Sequence, residues 1–167
     1  MKPLVLASFE VRGNQYDPEG NPIPWTRTTA RQKWQMMRTK DGRPTQYARY
    51  IGFKDYIIES IPLDLWQWIR DVVWPEIREG NVQYYVDCAI QFAGKQHGDT
   101  GNVVKGIEDA LFPKKSKRVP DGPDDLLAHG RLALVRDCAG VGFIQVQIHG
   151  PYPRDVFCRV ELCEFDL

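Results

Sequence analysis

Residues 97–111, HGDTGNVVKGIEDAL, gather side chains that could handle a phosphate. Asp99 stands in a Gly-flanked loop just before a helical stretch that spacing places over 102–112. Asn102 suits the N-cap, because its side-chain oxygen can accept from the free N–H groups of a first turn. Counted from Asn102, Lys105 is i+3 and Asp109 is i+7, so the three share one helix face. Val103, Val104, Ile107, Ala110 and Leu111 form the apolar remainder. A lysine near a helix N-terminus is badly placed beside the positive end of the dipole, unless an anion binds there. The same spacing also describes a capped surface helix with a solvated lysine and aspartate. A second acidic pair, Asp124-Asp125, follows a Pro- and Gly-rich turn and precedes an apolar stretch. Adjacent carboxylates repel and are tolerated best where a cation sits between them. An ordinary acidic turn is the alternative. His97, close to Asp99, reads as a loop histidine, with contact to a metal or phosphate as the alternative, and His129 and His149 read as structural or surface residues.

Charge distribution points to an anionic partner, although the 22 basic and 22 acidic residues cancel over the whole chain. From Arg27 to Arg49 the basic residues are Arg27, Arg31, Lys33, Arg38, Lys40, Arg43 and Arg49, against the single acid Asp41. Trp25, Trp34, Tyr47 and Tyr50 are interleaved with them. A second run holds Lys114, Lys115, Lys117 and Arg118. Basic side chains neutralise phosphates and release counterions, and aromatics among them can stack on unpaired bases. Arg27, Arg31, Lys33, Arg38, Lys114 and Lys115 are the DNA-contact candidates on this reasoning. Two solvated basic loops would have the same composition.

The elements that must position these groups follow from periodicity. A chain of 167 residues with 43% hydrophobic and 26% charged residues has the balance of one globular domain, here taken as 1–167. That balance excludes a disordered chain, a fibrous repeat and a coiled coil. No run approaches the ~20 apolar residues of a membrane span, and Leu4–Ala7 is too short for a secretory signal, so a cytoplasmic protein without a membrane partner is expected. Four cysteines without a CxxC pair read as reduced structural thiols rather than a zinc site. Alternation predicts strands over 3–12 and 82–92, the latter with Val82, Tyr84, Val86, Cys88, Ile90 and Phe92 on one face and Gln83, Tyr85, Asp87, Ala89 and Gln91 on the other. Helical spacing covers Tyr47–Ile61 and Leu65–Val73, with Pro62 at a helix start and Pro75 ending or kinking the second helix. Leu132–Val135, Phe143–Ile148 and Val156–Leu162 are the remaining strand candidates, and 13–46 is a long loop. The order implies an α+β fold with a mixed or antiparallel sheet and helices packed on it.

Taken together, Asp99-Thr100-Gly101-Asn102, then Lys105, then Asp109-Ala110-Leu111, then Asp124-Asp125 resemble the RusA-type Holliday junction resolvases. That family's pattern is Asp-x-Asp-Asn, a helix carrying x-x-Lys-x-x-x-Asp-Ala-Leu, and an acid pair opening the next strand. The resemblance covers about two thirds of the chain and implies a Mg2+-dependent endonuclease that resolves four-way junctions by paired nicks. By resemblance Asp99, Lys105 and Asp125 are catalytic, Asp99, Asp124 and Asp125 hold the metal, and Asn102 supports them. It further implies a homodimer acting on branched DNA, and phage and prophage genomes as a common source. The departures are Gly101 in place of the second acid, a longer loop over 112–123, and an inserted helix around Leu65–Val73. Asp121 or Asp87 could make up for the missing acid. Asp109 lies too far along the helix, about 10 Å of rise from Asn102. A catalytically impaired branched-DNA-binding module is the alternative function.

Overall fold

The computed structural model describes residues 5–25, 41–42, 44–80, 82–94, 99–123, 128–138, 141–154 and 165, with 128–138 described in backbone only. Four strands form one sheet in the order β1-β4-β2-β3: β1 (Val5–Arg12), β2 (Val82–Ala93), β3 (Ala128–Cys138) and β4 (Phe143–Pro153). β4 runs antiparallel to both β1 and β2, while β2 and β3 are parallel. The sheet is therefore mixed and the fold α+β, as the order of predicted elements implies. The strand expected over 156–162 lies outside the described residues, as does the Ala139-Gly140 turn.

Parallel neighbours need a crossover, and here α4 (Thr100–Leu111) supplies it between β2 and β3. Its Val103, Val104, Ile107, Ala110 and Leu111 are all buried, the apolar stripe expected of a helix laid on a sheet. α1 (Gln46–Glu59) packs beside α4 through Tyr50, Phe53 and Ile57. Thr45 caps α1 by accepting the Ala48 N–H at 3.1 Å. Phe9, Val11, Val86, Cys88, Ile90, Ile144, Val146 and Ile148 join these helix residues in one core cluster.

Two expectations need correction. Of the two effects expected of Pro75, ending the helix does not occur: α2 (Leu63–Trp68) continues through a π-helical segment (Ile69–Val73) into α3 (Trp74–Glu79). Trp74 N–H bonds back to the Ile69 carbonyl, five residues earlier. A wider turn there moves carbonyls away from the proline ring, which would clash in a regular α-helix. The second correction concerns β2. Its supposed polar face is buried too, with Gln83, Tyr85, Asp87 and Ala89 all at 5% exposure or less. β4 and β3 pair its two edges, and on this face Asp87 and Tyr85 are covered by His149 and Tyr152.

The long 13–46 loop is structured over its first part. Asn14 Nδ2 donates to the carbonyls of Gly20 and Asn21, and Asp17 Oδ2 accepts from the N–H groups of Glu19 and Asn21. Gly20 makes the turn at φ +69°, a conformation that other residues rarely adopt. The buried Asn21 side chain then accepts from Ala93 N at 2.8 Å and donates to Ala93 O at 3.3 Å. Trp25 N–H bonds to the Asn102 carbonyl at 2.9 Å. This clasp ties the end of β2 to the first turn of α4, where Asp99 stands.

Candidate functional site

α4 begins one turn earlier than spacing predicts, and its N-cap is Asp99 rather than Asn102. Asp99 has extended backbone (φ −81°, ψ 121°), and its Oδ1 accepts the Gly101 N–H at 2.9 Å. Both Asp and Asn are good caps, so the residue type could not decide between them. Asp99 is exposed to solvent. A Cβ added at Gly101 would lie 3.3 Å from Asp99 Oδ1. An acid at that position would therefore stand directly beside Asp99, whose side chain would have to give by a few tenths of an ångström.

One turn further on, the face predicted from spacing is present. Lys105 Nζ donates to Asp109 Oδ1 at 2.6 Å, an i,i+4 ion pair with side chains 36% and 24% exposed. The Tyr50 hydroxyl donates to Asp109 Oδ2 at 3.4 Å. Burial, and then the Asp109 charge, push the Tyr50 phenol well above its ordinary value of 10.0. Asp109 thus neutralises Lys105 from one side and is oriented by Tyr50 from the other.

Beside this face lies a cleft of about 550 Å3 between α1, α4 and the loop after α4. Lys54, Lys105, Asp109, Lys114 and Arg118 line it together with Trp25. Lys114 and Lys115, candidate nucleic-acid contacts from their basic run, are both exposed, and of the two only Lys114 lines the cleft. Sequence reasoning misses Lys54, because it falls within the helical spacing of α1 and carries no local mark. Arg118 is visible in the sequence only as part of a basic run.

Several other expected residues have different work. Arg49 donates to the Tyr16 carbonyl at 2.8 Å and lies 3.4 Å from Asp17, so it holds the 13–25 clasp. Asp121 lies 3.6 Å from Arg70, and its carbonyl accepts from Arg78 at 2.7 Å, which turns it toward the α2–α3 helices. Asp87 is fully buried, with Oδ2 2.9 Å from His149 Nε2, while His149 Nδ1 lies 3.0 Å from the Tyr152 hydroxyl. Asp87 is thus closed in the core, and Asp121, though about half exposed, is engaged with Arg70 and Arg78. His149 is a structural residue, one of the two roles expected for it.

Asp124 and Asp125 lie outside the described residues, as do His97, Arg27, Arg31, Lys33 and Arg38. The strand that the acid pair precedes, β3, begins with Ala128 beside Tyr84, whereas Asp99 follows the other end of β2 at Ala93. That stretch of strand covers about 30 Å. Among the described residues no group of three or more His, Cys, Asp or Glu side chains could hold a metal ion. Asp99 by itself fits Mg2+ in kind, being an exposed hard-oxygen donor. Cys88 is a free, fully buried thiol. No helix among the described residues is long and apolar enough to cross a membrane. No family model, curated protein or solved structure matches the chain.

Proposed function

We propose that this protein is a Mg2+-dependent, structure-selective DNA endonuclease of the RusA type, acting on four-way junctions as a homodimer. The observation that carries the reading is the α4 face. An exposed Asp99 opens the helix, Lys105 and Asp109 stand paired along it, and a cationic cleft lies against them. Asp99, with Asp124 and Asp125, would hold the metal, which when bound supplies charge neutralisation and a water activated for attack on phosphorus. Lys105 then stands within an ion pair that can open toward a phosphate, since its head group is already partly exposed. Asp109 restrains that lysine until a phosphate arrives, and Tyr50 keeps Asp109 in place. A two-fold dimer matches a junction, whose resolution needs two paired nicks.

A second reading has its own support. Gly101 leaves one carboxylate at the helix start, and β3 begins at the far end of β2 from it. Both facts favour a branched-DNA-binding module that retains the basic cleft and has lost cleavage. The deciding experiment uses a labelled four-way junction and a matched linear duplex, each with and without Mg2+. Symmetric nicks in the junction alone, only with Mg2+, support the endonuclease. Tight junction binding with no nick under any metal condition supports the module.

A further inference from the structure

The cleft beside α4 concentrates positive charge in a chain whose formal net charge is zero. Among the described residues, the cationic side chains Lys54, Lys105, Lys114 and Arg118 line the cleft with the carboxylate of Asp109, which pairs with Lys105. Neither Lys54 nor Arg118 has an acidic partner among the described residues. Like charges gathered around a concavity repel one another, and an anion placed among them relieves that cost. The backbone that carries these side chains is held in advance of any ligand. Lys54 projects from a regular helix. Arg118 sits in a loop closed on itself by Ser116 N–H to Val119 O at 3.0 Å and Val119 N–H to Ser116 Oγ at 3.1 Å. Trp25 is half-buried against the core and fixed by its bond to Asn102, so it offers a preset aromatic surface at the cleft.

Size sets the class of ligand. A volume of about 550 Å3 falls in the range of small-molecule sites. It corresponds to a cube about 8 Å on edge, whereas a duplex is broader even than its own ~12 Å major groove. The cleft can therefore take a phosphate with one nucleoside but not a duplex. Cations plus one aromatic face is the combination that binds single strands, the charge tracking the backbone and the ring stacking a base.

We infer that this cleft is a subsite for one unpaired nucleotide of a DNA strand, with Lys54, Lys114 and Arg118 on its phosphate and Trp25 against its base. The inference rests on the endonuclease reading for the choice of DNA. It adds a place where a strand leaving a branch point is held beside Lys105. The cations set affinity and Trp25 sets the preference for an unstacked base.

The test uses the whole protein without added metal, so that binding is read apart from cleavage. The probe is a 5′-phosphorylated thymidine tetranucleotide, followed by tryptophan fluorescence, with inorganic phosphate and the matched ribo-oligonucleotide as separate ligands. Quenching by the deoxy-oligonucleotide is expected, and it should vanish in Trp25→Leu. Lys54→Gln combined with Arg118→Gln should weaken binding on the order of tenfold and lower the log–log salt slope by about 0.7 for each phosphate no longer neutralised. The glutamine variants are surface changes, and an unfolding midpoint equal to wild type shows that the loss is local. Unchanged affinity and salt slope in the double variant would overturn the subsite. Inorganic phosphate binding as tightly as the oligonucleotide would overturn the role of the base, and tighter binding of the ribo-oligonucleotide would overturn DNA as the ligand. Junction nicking by wild type is scored separately. Its absence with oligonucleotide binding intact removes the endonuclease and leaves the subsite, whereas binding indifferent to both glutamines removes the subsite whether or not junctions are nicked.

Discussion

Two aspartates in this molecule each face a basic side chain, and they are held in opposite ways. Asp87 meets His149 at 2.9 Å with both side chains wholly buried, Tyr152 closing the other ring nitrogen and Tyr85 stacked 5.7 Å from the imidazole. Asp109 meets Lys105 at 2.6 Å on the wall of an open cleft. The first pair cannot exchange its partner for a ligand without opening the sheet. It fixes the pairing of β2 with β4, where Tyr85 stands opposite His149 and Asp87 opposite Gln147. The second pair is accessible to solvent and to anions. Burial thus separates a polar cluster that specifies the fold from one available for chemistry, although both read alike as acids in the sequence.

Breaking the buried pair should have the largest effect. His149→Ala removes a ring hydrogen bond from Asp87 and opens a cavity in a closed interior, and should cost about 2–4 kcal/mol, measured as a shift of the urea midpoint. A cost near zero would mean that water or another group replaces the imidazole, and burial would then not distinguish the two pairs. Next in size is the helix cap. Asp99→Ala should lose about 1 kcal/mol, while Asp99→Asn, which keeps a capping oxygen, should stay near wild type. Equal losses in the two variants would show that charge rather than capping matters for stability.

Alkaline pH sharpens the comparison differently. Burial, and then the neighbouring Asp87 and Glu108 charges, hold the Cys88 thiol far above its ordinary value of 9.0. Burial and the Glu76 hydrogen bond do the same for the Tyr84 phenol, whose ordinary value is 10.0. With the folded values raised, the protonated forms are the native ones, and the unfolded chain releases these protons first. Stability should therefore be full below about pH 9 and fall progressively above it. A urea midpoint that stays level between pH 8 and pH 11 would contradict this. The smallest effect is expected at the open pair. Asp109→Asn should change stability by only about 0.3–0.5 kcal/mol, as exposed i,i+4 pairs do, yet tighten DNA binding by releasing Lys105. Weaker DNA binding in that variant would show that Asp109 positions Lys105 rather than restrains it.

Much of this arrangement is legible in the sequence. The α4 face comes from counting three and four residues between Asn102, Lys105 and Asp109, since helical spacing alone decides which side chains share a side. The cap falls one turn away from its expected place, because Asp and Asn both accept from first-turn N–H groups and only backbone angles tell them apart. The buried second face of β2 is hidden, because alternation reveals residue types and not that His149 and Tyr152, about sixty residues on, pack over Asp87 and Tyr85. Asn14, Asp17 and Asn21 are visible as turn formers, but their joint clasp on Ala93 depends on a contact about seventy residues away along the chain. Lys54 and Arg118 are invisible as a pair for the same reason: a cleft is made by three separated segments, and local spacing describes one at a time.

Gly101 connects the fold to the chemistry. Placing Asp there sets a second carboxylate beside Asp99 and should lower the Mg2+ concentration needed for half-maximal nicking. A higher requirement in Gly101→Asp would show that the ligand set is complete without it.

The most direct measurement of the central claim is nicking of a labelled four-way junction by wild type and Asp99→Asn under saturating DNA and Mg2+, with binding followed in the same samples. Wild type should introduce paired symmetric nicks in the junction and leave the matched duplex intact. Asp99→Asn keeps the cap but loses the charge, so it should bind the junction at least as tightly and fail to nick it. Nicking by Asp99→Asn at the wild-type rate would contradict the assignment of this helix start as the cleaving site.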